Sequence, residues 1–125
     1  MTNVITYPRP TTDAQCKQLY TDLVAAANAA STEWLDPTSQ IDRYPGGLGS
    51  AWVKIPNRGK FAKWLVATER ATIFSGSAGV HLRSWSDFGF PNTGQSESQS
   101  VHVMRAVVRV LKDYGVSAEL GSYNS

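Results

Sequence analysis

The chain has 125 residues, enough for one domain with its own core, and 42% hydrophobic against 18% charged residues excludes a disordered polymer. No apolar run approaches the roughly 18 residues of a membrane span, and the start, MTNVITYPRP, lacks the charged-then-apolar pattern of a secretory leader. Cys16 is the one cysteine and His81 and His102 the two histidines, too few for a disulfide or a structural zinc site; no metal or cofactor is implied, and a reducing cytoplasm is the expected setting.

The net charge of +2 hides an uneven distribution. Residues 1–42 carry Arg9 and Lys17 against Asp13, Asp22, Glu33, Asp36 and Asp42. Residues 43–83 carry Arg43, Lys54, Arg58, Lys60, Lys63, Arg70 and Arg83 against Glu69 alone, a local +6. That excess points to an anionic partner, unless the acidic N-terminal third balances it in space.

Residues 1–10 are extended because Tyr7-Pro8-Arg9-Pro10 resists helix, with a short strand at Val4 to Thr6. Thr12 and Gln15 form a capping box for a helix over about residues 13–34. Cys16, Leu19, Tyr20, Leu23, Ala26, Ala27 and Ala30 give it one apolar stripe, and Asp36-Pro37 stops it. Cys16 on that stripe reads as a small core residue rather than a nucleophile. The following loop ends in Arg43-Tyr44-Pro45-Gly46-Gly47-Leu48-Gly49, which lacks the Walker spacing and reads as a connection able to line a pocket.

A strand over about 51–55 puts Val53 and Ile55 on one face and Trp52 and Lys54 on the other. Asn57 is expected to cap a second helix, about 58–69, with Phe61, Trp64, Leu65 and Thr68 inward. Arg58 and Lys60 then fall in its first turn, where the helix dipole is already positive, an arrangement that makes sense against an anion. Strands over 71–76 and 79–86 follow, linked by Ser75 to Gly79. In the latter, Val80 and Leu82 share one face, and His81, Arg83 and Trp85 the other. Pooled in one sheet, the two strands gather Trp52, Lys54, His81, Arg83 and Trp85 into an aromatic and basic surface. Such a surface stacks on bases and holds phosphate, or serves as a subunit interface.

The loop DFGFPNTGQS supplies Asn92 and Gln95 as neutral donors and acceptors. Ser96 and Gln99 cap a third helix over about 97–114, with Val101, Met104, Val107, Val108, Leu111 and Tyr114 inward and Gly115 as its stop. Its outer face carries His102, Arg105, Arg109 and Lys112; the last two suit the C-terminal dipole, whereas Arg105 lies mid-helix. A last strand runs from Val116 to Leu120, with Val116, Ala118 and Leu120 inward. The order predicts a single-domain α+β two-layer sandwich, about three helices on one face of a mostly antiparallel sheet of four to five strands, with its second face inviting a homo-oligomer.

The segment RYPGGLGSAWVKIPNRGKFAKWL, followed by GQSESQS and GVSAELGSYNS, resembles small accessory proteins carried by bacteriophages. The resemblance implies a counter-defence setting, in which some such proteins sequester nucleotide signals as oligomers and others block host protein complexes. It transfers no site residue.

The residues themselves favour a non-enzymatic, oligomeric binder of a phosphate-bearing nucleotide-type ligand. Trp52 and Trp85 would stack on the base, Arg58, Lys60, Arg83 and Arg105 would hold the phosphates, and Asn92 and Gln95 would read polar edges, with Lys54 on the same ligand-binding face. The alternatives are an inhibitor that binds a host protein and a binder of single-stranded nucleic acid. An enzymatic reading needs His81 and His102 as an acid–base pair for phosphodiester cleavage, with Arg83 or Arg105 stabilising the transition state.

Overall fold

The computed structural model describes residues 9–41, 43, 49–73, 79–83 and 97–124, and only the backbone of Ser50, Thr72, Ile73, Arg83, Tyr123 and Asn124. The expected strand at Val4 to Thr6, most of the glycine-rich loop, the link from Ser75 to Ala78, and Trp85, Asn92, Gln95 and Ser96 lie outside the described residues.

Helix α1 spans Asp13–Leu35. The Thr12 hydroxyl accepts from the Gln15 N–H at 3.2 Å, and the Gln15 side chain accepts from the Thr12 N–H at 3.3 Å, completing the capping box. Cys16, Leu19, Leu23, Ala27 and Ala30 are buried along the expected stripe. Ser31 is buried too, and its hydroxyl accepts from Gln99 Nε2 at 3.1 Å. Beyond the helix, Asp36 accepts from the Thr38 N–H and hydroxyl, and these bonds hold its carboxyl below the usual range.

Strand β1 is Gly49–Pro56, longer than its apolar core alone implies. Helix α2 is Lys60–Ala67, shorter than expected, and Asn57 does not cap it. The chain leaves β1 through a bond from the Arg58 N–H to the Pro56 carbonyl at 2.7 Å and enters the helix at Gly59, whose φ of 87° suits glycine. Arg58 therefore precedes the helix, and no side chain caps its N-terminus. Phe61 and Leu65 are buried as expected, with Ala62 beside them, whereas Thr68 is exposed and bonds back to the Trp64 carbonyl.

Among the described residues, strand β2 is Thr72–Ile73 and β3 is Gly79–Arg83. Helix α3 is Glu97–Asp113. It ends in a Schellman motif, with the Gly115 N–H (φ 70°) donating to the Lys112 carbonyl and the Val116 N–H to the Leu111 carbonyl, both at 2.9 Å. Strand β4 is Glu119–Asn124, so Val116 and Ala118 belong to the connection before it rather than to the strand. The reason is the end of β1: Pro56 has no N–H to offer, and the ladder with β4 starts at the Lys54–Glu119 pair.

The molecule is α+β, and among the described residues every strand pairing is antiparallel, in the order β2-β3-β1-β4. Residues alternate across the sheet. Ala51, Val53 and Ile55 of β1 and Val80 and Leu82 of β3 are buried in one cluster with the apolar stripes of all three helices. Helix α3 lies against β1 and β4 and along α1. The two helices run antiparallel, since Gln99 meets Ser31 and the Tyr114 hydroxyl donates to Asp22.

Candidate functional site

At one end of the sheet, β1 stops at Pro56, α3 ends at Asp113 and turns at Gly115, and Val116 to Ala118 lead into β4. These segments enclose a cleft of about 550 Å³ lined by Lys54, Pro56, Lys112 and Gly115 through Glu119. A second lobe of about 320 Å³ adjoins it, lined by Arg9, Arg58, Gly59, Lys60 and Phe61 among others. Pro56, Gly115, Val116 and Ser117 border both, so they form a saddle between the lobes.

The lining is cationic. Arg9 is fixed by donation from Nε to the Gly115 carbonyl at 2.9 Å. Lys60 Nζ sits 2.7 Å from Asp13, whose carboxylate raises the lysine pKa. Lys54, Arg58 and Lys112 complete five cations around the two lobes, against Glu119 in the lining and Asp13 beside Lys60. A net positive lining of this kind concentrates an anion near the surface.

The sheet face turned away from the helices adjoins the cleft through Lys54. Backbone register sets Lys54 opposite His81, and Trp52 opposite Arg83. The Trp52 and His81 rings lie within 4° of parallel, with centroids 6.3 Å apart. Trp52 rests over Gly121, where an added Cβ would fall 2.4 Å from the indole. The Lys54 stem lies over Gly79, where a Cβ would fall 2.6 Å from it. The two glycines therefore let an indole and a lysine stem lie flat along the sheet. Burial lowers the His81 pKa, and the nearby Lys54 charge lowers it further.

Sequence-expected site residues thus divide. Lys54, Arg58 and Lys60 converge on the cleft, and Trp52 stands beside Lys54 on the outer sheet face. Arg105 does not join them: it is exposed on α3, seven residues and about 10 Å of helix rise before Lys112. Arg9 and Lys112 were not expected to line a site. Arg9 precedes α1 with no local pattern to mark it, and Lys112 carries the same signal as any cation complementing a helix C-terminus.

His81 and His102 do not form a pair. His102 Nε2 lies 2.8 Å from Glu33 Oε1, between α3 and α1, whereas His81 stands on the outer face of β3. Cys16 is fully buried in the core, which pushes its thiol pKa up and keeps it a packing residue. Among the described residues, no group of three or more His, Cys, Asp or Glu could hold a metal ion, and no helix is long and apolar enough to cross a membrane. Comparison with protein-family models, curated proteins and solved structures finds no match to this chain.

Proposed function

We propose that this protein is a non-enzymatic binder that sequesters a phosphate-bearing, nucleotide-type small molecule. The observation that carries this reading is the position of Lys54. It lines the cationic cleft and also stands beside Trp52 and His81 on the outer sheet face. A base stacked at Trp52 would bring its phosphate to Lys54 and the cleft, which matches the division of labour between aromatic faces and cations in phosphate-bearing ligands. In this reading the chain is a two-layer sandwich of three helices on a sheet of four to five strands. It works as a homo-oligomer in the cytoplasm of an infected bacterium, with Trp85, Arg83, Asn92 and Gln95 completing the site.

The test is a thermal-shift screen against cyclic and linear nucleotides at fixed protein concentration. A ligand present at 100 times its dissociation constant stabilises the fold by about 2.7 kcal/mol. The expected result is a shift that Lys54→Gln and Trp52→Ala each abolish, with the nucleotide recovered chemically unchanged. A recovered product of altered mass would make the protein an enzyme. No shift with any nucleotide would overturn the proposal and direct attention to a protein partner.

A further inference from the structure

Resting on that nucleotide-binding reading, we infer that the ligand carries a chain of two or more phosphoryl groups that crosses the saddle from one lobe of the cleft to the other. The cations stand on both sides of Pro56. Lys54 and Lys112 line the larger lobe, while Arg9, Arg58 and Lys60 line the smaller. Lys54 and Pro56 are two residues apart on β1, about 7 Å along the strand. A single phosphoryl group held by Lys54 leaves the cations beyond the saddle unengaged. A longer phosphate chain reaches both sets.

The cations of the smaller lobe differ in how free they are. The bond to the Gly115 carbonyl holds the Arg9 guanidinium in place, whereas the Asp13 carboxylate already engages Lys60 and offsets its charge. Arg58 is exposed, with no carboxylate partner among the described residues. Its planar fork of donors fits two phosphate oxygens at once. The saddle itself puts no acidic side chain in the path: Pro56, Gly115, Val116 and Ser117 are neutral, and the Ser117 hydroxyl adds a donor. In the larger lobe Glu119 accepts hydrogen bonds and suits the sugar end of a nucleotide, not its phosphates. The order along the surface is then base at Trp52, first phosphate at Lys54 and Lys112, and terminal phosphates at Arg58 and Arg9.

The experiment titrates the full chain with adenosine mono-, di- and triphosphate and with inorganic triphosphate at one fixed ionic strength, because exposed charges are screened by salt. The series is repeated with Arg58→Gln and with Lys63→Gln, a control lysine on the exposed side of α2. The expected result is at least tenfold tighter binding of the triphosphate than of the monophosphate. Arg58→Gln should remove that gain while leaving the monophosphate affinity in place, and Lys63→Gln should preserve it. Equal affinities along the series, or an equal loss from both variants, would overturn the two-lobe inference and leave nucleotide binding intact. Inorganic triphosphate binding as tightly as the nucleotide would overturn the role of the base. Failure of every nucleotide to bind would overturn both readings together.

Discussion

Arg43 and Arg58 lie in the same positively charged stretch and have opposite fates. Arg43 turns back onto the end of α1. Its guanidinium donates to the carbonyls of Trp34 at 2.8 Å, Asp36 at 2.6 Å and Glu33 and Ser39 at 3.3 Å, with its Cζ 5.9 Å from the Trp34 ring centroid. It closes a helix end that carries no basic residue of its own in the last turn. Arg70 is likewise drawn into the fold, over Trp64 and Tyr20 at 4.9 and 5.2 Å. Arg58 faces a cleft instead. A local charge excess of this kind therefore sums two populations: cations that complete the fold, and cations left to meet something else. What separates them is whether backbone carbonyls or aromatic rings lie within reach, and charge counting does not register that.

The sharpest way to break this contrast is to exchange the two losses. Arg43→Ala should lower stability by about 2–3 kcal/mol, because hydrogen bonds to a charged group are each worth about 1.5–3 kcal/mol and water takes over most of the freed, partly exposed carbonyls. Urea unfolding would read this as a lower midpoint with an unchanged slope, and nucleotide binding should persist in the folded variant. Arg43→Lys should recover little of it, since an ammonium cannot span several carbonyls in one plane. Arg58→Ala should do the reverse, changing stability by less than about 0.5 kcal/mol while weakening triphosphate binding. If Arg58→Ala unfolded the protein, it would belong with Arg43 among the structural cations.

A second contrast lies along the α1–α3 seam, which is polar at its Ser31–Gln99 end and apolar at its middle. Gln99→Leu should destabilise by about 1–3 kcal/mol by leaving the Ser31 hydroxyl buried without that donor. Adding Ser31→Ala should return part of the loss, which a double-mutant cycle measures directly. Additive losses would show that the two side chains do not act as a pair.

The ends of α2 and α3 make a third comparison. Both close with Schellman bonds, those of α2 running from the Glu69 N–H to the Val66 carbonyl and from the Arg70 N–H to the Leu65 carbonyl. In α3 the left-handed position holds Gly115, but in α2 it holds Glu69, with φ 59°. A side chain there costs about 1 kcal/mol, so Glu69→Gly should raise stability by roughly that amount. A neutral or destabilising result would mean that the Glu69 side chain contributes something the backbone geometry does not reveal.

These comparisons also show why some of the fold was legible in the sequence and some was not. Helix α1 was legible because a capping box, an apolar stripe and an Asp-Pro stop are each read from residues no more than four apart. The facing of β1 and β3 was legible because alternation is a local property. The limits of α2 were not: Asn57 has the chemistry of a cap, but β1 runs on to Pro56 and the turn at Gly59 moves the helix start past it. Glu69 hid the helix end because no glycine marks the turn. The cleft was half legible. Lys54, Arg58 and Lys60 come from one stretch of chain. Arg9 reaches the site through a bond to Gly115, 106 residues away, and no periodicity records such a partner.

The smallest expected effect tests whether the outer sheet face and the cleft act together. Burial and the Lys54 charge hold the His81 pKa below the ordinary histidine value of about 6.5. The unfolded chain therefore binds the proton more readily than the folded one. Stability tied to His81 is fully present above pH about 6.5, falls as the pH drops toward the folded-state pKa, and levels off below it. His81→Gln should flatten this acid slope in urea unfolding measured from pH 8 to 5. A phosphate held at Lys54 would cancel part of the positive charge that His81 feels and favour the imidazolium. Saturating nucleotide should then shrink the same slope in the unsubstituted protein and leave His81→Gln unaffected. If ligand changed the midpoint by the same amount at every pH, the phosphate would be bound away from Lys54, and the link between the aromatic face and the cleft would fail while the charge of the cleft remained.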